Sequence, residues 1–357
     1  MISFRRCPLV LMLGAIASLA SCAAPTTQAP TATNRKPSVV ATTTILCDMV
    51  QAIAADTVDL TCLLKPGVDM HVYEPLPADR KAIETAQLIL YSGYNLEPSL
   101  IKLIQSTANA APKVAVAEAA VPKPLMGAEH HHDEHNDAAH PGDHHGEEPH
   151  QDEAHSDAAP SDPSPSAAPG GTVPDPHVWQ NAANGARMVA VIQAKLTAIA
   201  PDHRDRYTQA ATQLQTELNQ IHTWIKSQIA TIPTSSRKLV TTHEAMAYYA
   251  NAYQIPVTGV LQGLSTDEKP TAATLKTLVD EVRSAQVPTI FAEVVVNPKL
   301  IQTVARNAQT QIAAQPLYSD SLGAPGSVAD TYPKLLMANT KTIVEGLNGR
   351  YEPFVQR

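Results

Sequence analysis

Four short stretches place a metal-ligating side chain just past a run of β-forming residues. They are "GVDMHVYEP" with His71, "PDPHVWQ" with His177, "TTHEAMAYY" with His243 and "LYSDSLG" with Asp320. Three neutral imidazoles and one carboxylate suit a borderline ion such as Zn²⁺ in tetrahedral geometry, whereas a harder ion such as Mn²⁺ prefers more oxygen. The metal needs ring nitrogens that carry no proton, which histidine supplies at little cost near neutral pH. Each residue alone has an ordinary explanation. A histidine at a strand end is commonly a capping or surface residue, and Asp320 can close a turn with Ser319 and Ser321. The set carries the argument, because two members come from each half of the chain and all follow strand ends. His203 and His222 lie among polar neighbours on a long helical stretch and are given no role.

A second group of histidines is of another kind. His130, His131, His132, His135, His140, His144, His145, His150 and His155 sit in a stretch of acid, Pro, Ser and Ala with no apolar periodicity. Residues 123–174 have almost nothing to bury and are expected to be disordered. Any site these nine histidines form must be ordered by the metal itself, so binding there is expected to be weak and multiple; the alternative is a solvated spacer. His177 follows Pro176, whose ring restricts the backbone, and belongs to a folded body.

Strands and helices must position the four residues. Strands are expected at 39–44, 57–64, 87–91 and 114–117, with helices at 48–55, 77–86 and 96–107 between them. After the insert come helices at 182–199 and 202–232. The second carries Tyr207, Ala211, Leu214, Leu218, Ile221, Ile225 and Ile229 as one apolar stripe. The alternation then resumes, with strands at 238–242, 257–261, 289–294 and 311–314 and helices at 245–253, 271–285, 298–308 and 327–347. This predicts an α/β fold of two lobes with mainly parallel sheets, joined by one long rigid helix. Ligands of such sheets sit outside the carboxyl ends of the strands, here the cleft between the lobes. The expected division is a signal peptide at 1–21, a flexible tether at 22–37, an N-terminal lobe at 38–200, a linking helix at 201–232 and a C-terminal lobe at 233–357.

Arg5 and Arg6, an apolar run too short to span a bilayer and then "LASC" read as a secretory signal ending in a lipobox, with Cys22 as the lipidated residue. The protein is expected in the periplasm or at the cell surface, lipid-anchored to a bacterial membrane. Cys7 leaves with the signal, so Cys47 and Cys62 remain. An even remainder in an oxidising compartment suggests a disulfide; two buried free thiols are the alternative. The formal charge of -8 is local, since residues 129–157 hold ten acids and no Lys or Arg. The remaining body is about neutral, and no basic patch argues for nucleic acid.

Nearly the whole mature chain resembles the cluster A-I metal-binding lipoproteins, the zinc and manganese solute-binding components of bacterial ABC uptake systems. The stretches that carry the resemblance are "KPGVDMHVYEP", "DPHVWQNAANGARM", "VTTHEAMAYYANAYQI", "GLSTDEKPTAATLKTLVDEV", "EVVVNPKLIQTVA" and "LYSDSLG". The resemblance implies two α/β lobes joined by a long helix and a metal site at His71, His177, His243 and Asp320. It implies Zn²⁺ as transported ligand, an ABC permease and its ATPase as partners, and a monomer. Manganese members carry Glu where His243 stands, and an acidic, His-rich insert is a habit of the zinc members. Met70 departs from the pattern, which usually has Pro before the first ligand. Manganese binding is the alternative within the family. A zinc-dependent hydrolase is the alternative outside it, with Asp320 as general base. "THEAM" begins like HExxH, but Ala247 stands where the second histidine belongs, so no enzyme is expected.

Overall fold

The computed structural model describes residues 35–128, 171–267 and 269–356. Cys22 and the nine histidines of the insert lie outside the described residues. Lys36–Arg357 forms one unit by its internal contacts.

Its first half begins with β1 (Ser38–Ala41), α1 (Thr44–Ala54), β2 (Asp59–Cys62), α2 (Pro77–Thr85), β3 (Leu88–Tyr91), α3 (Pro98–Ser106), β4 (Lys113–Ala115) and the short α4 (Val116–Ala120). The strands form one all-parallel sheet in the order β2-β1-β3-β4. Val39, Ala41, Leu88, Ile89 and Leu90 are completely buried, as expected for strands covered on both faces. Helix α1 starts four residues before its expected position. Thr43 is its N-cap and accepts from the Leu46 N–H, so the threonine run ends the strand and opens the helix. In the same way the strand expected at 114–117 ends at Ala115 and turns into α4.

Part of the segment expected to be disordered is ordered. β5 (Met126–Ala128) pairs antiparallel with β6 (Thr172–Pro174). The two strands have three residues each and no periodicity to announce them. Tertiary contact holds the ribbon: the Tyr248 hydroxyl accepts from the Leu125 N–H at 2.9 Å, and Gly127 lies against Leu264.

α5 (Ala182–Ile199) and the 27-residue α6 (Arg204–Ala230) follow. At about 1.5 Å per residue α6 runs roughly 40 Å. Every residue of its expected apolar stripe is buried. That stripe packs on α1, on α5 and on the last helix, so one element supports both halves.

The second half contains β7 (Leu239–His243), α7 (Ala247–Tyr253), β8 (Val257–Gln262), α8 (Ala272–Ala285), β9 (Thr289–Ile290), α9 (Pro298–Ala308), β10 (Gln311–Ile312) and α10 (Tyr332–Gly346). β7 pairs parallel with β8, and β9 with β10. The Phe291 N–H donates to the Val240 carbonyl at 2.9 Å, which seats β9 beside β7. The order β8-β7-β9-β10 therefore repeats that of the first half. The strand expected at 289–294 keeps only two residues. The helix expected from 327 starts at Tyr332, because Thr331 caps it through the Lys334 N–H.

Cys47 of α1 and Cys62 of β2 form a disulfide, with Cα atoms 5.8 Å apart.

Candidate metal centre

In both halves the strand order reverses between the first and third strands, which opens a crevice at their carboxyl ends. Each crevice holds a buried glutamate. In the first half, Glu97 Oε1 accepts from the Thr42 hydroxyl and the Ser92 N–H, both at 2.8 Å. In the second, Glu293 Oε1 accepts from the Thr242 N–H at 2.7 Å and the His243 N–H at 2.9 Å. The second crevice also contains an imidazole, because His243 is the last residue of β7.

The structure brings together the four residues singled out in the sequence. One ligand atom from each of His71, His177, His243 and Asp320 lies within 4.8 Å of all the others. Asp320 Oδ2 is 3.6 Å from His71 Nε2 and 3.0 Å from His243 Nε2, and Oδ1 is 3.5 Å from His177 Nε2. A tetrahedral ion with bonds near 2.05 Å separates its ligand atoms by about 3.3 Å, so these three distances straddle the value an ion requires. His177, His243 and Asp320 are fully buried and His71 is 6% exposed. The Nε2 atoms of all three histidines and both carboxylate oxygens of Asp320 have no hydrogen-bond partner of acceptable geometry. Buried polar atoms are normally satisfied; five converging orphans of ligand type fit a bound cation. His203 and His222 are elsewhere, beside Tyr207 and Tyr253.

Carboxylates behind the histidines orient them. Asp175 Oδ1 accepts from the His177 N–H and stands 2.9 Å from its Nδ1. Glu293 Oε2 stands 2.5 Å from His243 Nδ1. A carboxylate at Nδ1 keeps the proton on that nitrogen and leaves the Nε2 lone pair free to ligate. His71 is held through its backbone instead, with its N–H donating to Asp69 Oδ1 at 3.0 Å. Met70, between this aspartate and His71, is buried.

Neither Asp175 nor Glu293 was identified from the sequence. Asp175 had a signal: among the described residues Asp-x-His occurs twice, in "DMH" and "DPH", and in both the aspartate takes the N–H of the histidine two residues on. Glu293 lies fifty residues from His243 and carries no local sign.

The Asp320 loop is stitched to the His177 loop. Trp179 Nε1 and Gln180 Nε2 both donate to the Ser319 carbonyl, at 2.9 and 2.6 Å. Leu322 N–H donates to Thr44 Oγ1, and Gly67 N–H to Ser321 Oγ.

Charge in the cluster is strongly coupled. Burial pulls the His243 pKa down, but Glu293 and Asp320 together outweigh it and hold His243 well above the ordinary value. Burial would raise the Asp320 pKa, yet His243, His71 and His177 hold it well below the ordinary value. For His71 burial wins over Asp320, and its pKa is lowered. Asp320 and His243 thus each favour the charged form of the other.

The architecture is that of the two-lobed periplasmic metal-binding proteins. The structure resembles the periplasmic zinc binding protein TroA from Treponema pallidum with a TM-score of 0.72 and 26% identity, covering 87% of this chain and 99% of that one. The sequence matches the family described as ZnuA, zinc-uptake complex component A, periplasmic, over residues 39–346, and the chain belongs to that family. It is 30% identical over 313 residues to the manganese-binding lipoprotein MntA of Bacillus subtilis, covering 87% of this chain and 89% of the relative. It is 29% identical over 345 residues to the manganese ABC transporter substrate-binding lipoprotein PsaA of Streptococcus pneumoniae, with 95% and 97% covered. The family is a solute-binding component of transport, and the expected periplasmic or cell-surface location agrees with these relatives.

Proposed function

We propose that this protein captures Zn²⁺ outside the cytoplasm and delivers it to the permease of an ABC uptake system. The ion is held by Nε2 of His71, His177 and His243 and by the Asp320 carboxylate. The observation that carries this reading is the convergence of buried ligand atoms without hydrogen-bond partners. Three nitrogens and one carboxylate favour zinc over a harder ion. Asp320 lies within 3.6 Å of all three Nε2 atoms, as a ligand does, rather than standing apart as a general base. Residues 1–21 serve as the export signal and Cys22 as the lipid anchor. The nine insert histidines gather metal weakly near the site, and the protein acts as a monomer.

Manganese is the second reading, favoured by the names of the relatives. Competition titration decides: zinc and manganese are titrated against a chelator of known affinity, with wild type and His243→Ala. One tight zinc, bound more strongly than manganese and lost in the variant, is expected. Preference for manganese, or tight zinc retained by His243→Ala, contradicts the proposal.

A further inference from the structure

The loop after β8, a part of the second half, touches both ligand loops of the first half. The Thr266 hydroxyl donates to Asp69 Oδ2 at 2.7 Å, while Asp69 Oδ1 holds the His71 N–H. Two residues earlier Leu264 presses on the β5–β6 ribbon; a Cβ on Gly127 would stand 2.7 Å from Leu264 Cδ1. From there β6 runs directly into Asp175 and His177. The loop is anchored at its own base as well. Gln262 Nε2 donates to the Thr266 carbonyl at 3.0 Å, and Gln262 is the strand partner of His243. Residues 263–266 therefore form a strap from the His243 strand to the loops of His71 and His177.

His71 is the ligand on which such a strap has most effect. His177 and His243 are backed at Nδ1 by Asp175 and Glu293. Among the described residues, His71 meets a carboxylate through Nε2 alone. Its backbone N–H is held by Asp69, and Asp69 is tied across to Thr266.

We propose that the 263–266 strap sets the lifetime of the bound ion, with Thr266 acting through Asp69 as a positioning residue for His71 and Leu264 acting through the ribbon on His177. The proposal rests on the metal-binding reading above. The ion escapes when first-half and second-half ligands separate, and that separation must break the Thr266–Asp69 hydrogen bond and the Leu264–Gly127 contact. Contacts of this kind act mainly on dissociation rather than association.

The test uses full-length protein loaded with one equivalent of Zn²⁺ and mixed with excess chromogenic chelator. The slow phase reports release from the tight site. Association is followed by fluorescence of Trp179, whose ring lies 5.4 Å from that of His177. Thr266→Val keeps the shape and removes the hydroxyl; loss of a hydrogen bond to a charged group is expected to speed release about tenfold. Association stays near the wild-type rate. Thr266→Ser restores slow release, and Leu264→Ala speeds it independently. Wild-type release from both Thr266→Val and Leu264→Ala overturns the proposal, as does a failure of serine to rescue. A wild type without any slowly released zinc overturns the metal-binding reading itself, and this one with it.

Discussion

Glu293→Gln separates orientation of a ligand from ligation itself. Glutamine retains Oε1, so the Thr242 and His243 N–H groups keep their acceptor. What changes is the atom 2.5 Å from His243 Nδ1, where a carboxylate oxygen becomes an amide NH₂. An NH₂ group donates, so Nδ1 must now accept, and the imidazole proton moves to Nε2, the atom the ion needs. Both groups are fully buried, so water cannot replace the lost carboxylate. Removing such a partner typically costs 10–100-fold in metal affinity, or about 1.4–2.7 kcal/mol. The pH dependence supplies a second readout. In the metal-free wild type Glu293 and Asp320 outweigh burial and favour the protonated form of His243. Zinc competes with that proton, so affinity should rise with pH as His243 loses it. Without Glu293 one of the two carboxylates that raise the pKa is neutral, and the dependence should weaken. Competitive zinc titration at several pH values, with circular dichroism to check the fold, measures both effects. An unchanged affinity together with an unchanged pH slope would refute the assigned role of Glu293.

Other consequences are as direct. His243→Glu adds oxygen to the site and should shift preference toward manganese, read by zinc–manganese competition; an undiminished zinc preference contradicts the ligand assignment. Burial raises the Glu97 pKa to about 7, so the folded state binds a proton that the unfolded chain releases near pH 4.3. Stability should therefore fall as pH rises from about 4.5 to 7, by about 3 kcal/mol, and Glu97→Gln should remove this slope in denaturant titrations of metal-free protein. The Cys47–Cys62 bridge closes a 15-residue separation, worth roughly 3 kcal/mol in the chain-entropy account. Reduction should lower Tm, and mass spectrometry of unreduced protein should find no alkylated thiol at either position. Deleting residues 129–157 removes chain between β5 and β6 and none of the four candidate ligands. The deletion should keep fold and tight site while lowering total zinc stoichiometry; equal stoichiometry by calorimetry rejects a metal-gathering role for the insert.

Strongly periodic elements were legible from the sequence. α5 and α9 occupy the expected residues, and α9 is announced by Asn297 as N-cap with Pro298 at the first helical position. The stripe on α6 was visible because seven apolar residues at helical spacing have only one face to share. Boundaries decided by a single hydrogen bond were not visible. Thr43 and Thr331 each look like part of a neighbouring run until their side chains accept a helix N–H. The ribbon has no local sequence sign because its contacts are with Tyr248 and Leu264, more than a hundred residues from β5. The four candidate ligands were legible because each stands just past a strand in a chain of alternating strands and helices. Their supports were less so. Glu293 reaches His243 only through the β7–β9 pairing, a neighbour relation that sequence order hides.

On the proposed function, one zinc ion sits among three imidazoles and one carboxylate. X-ray absorption at the zinc edge, on protein lacking residues 129–157 and loaded with one equivalent, tests it most directly. Four-coordinate zinc with three imidazole nitrogens and one oxygen at about 2.0–2.1 Å is expected. A shell with fewer than three imidazoles, or one with six oxygen-rich ligands, would contradict it.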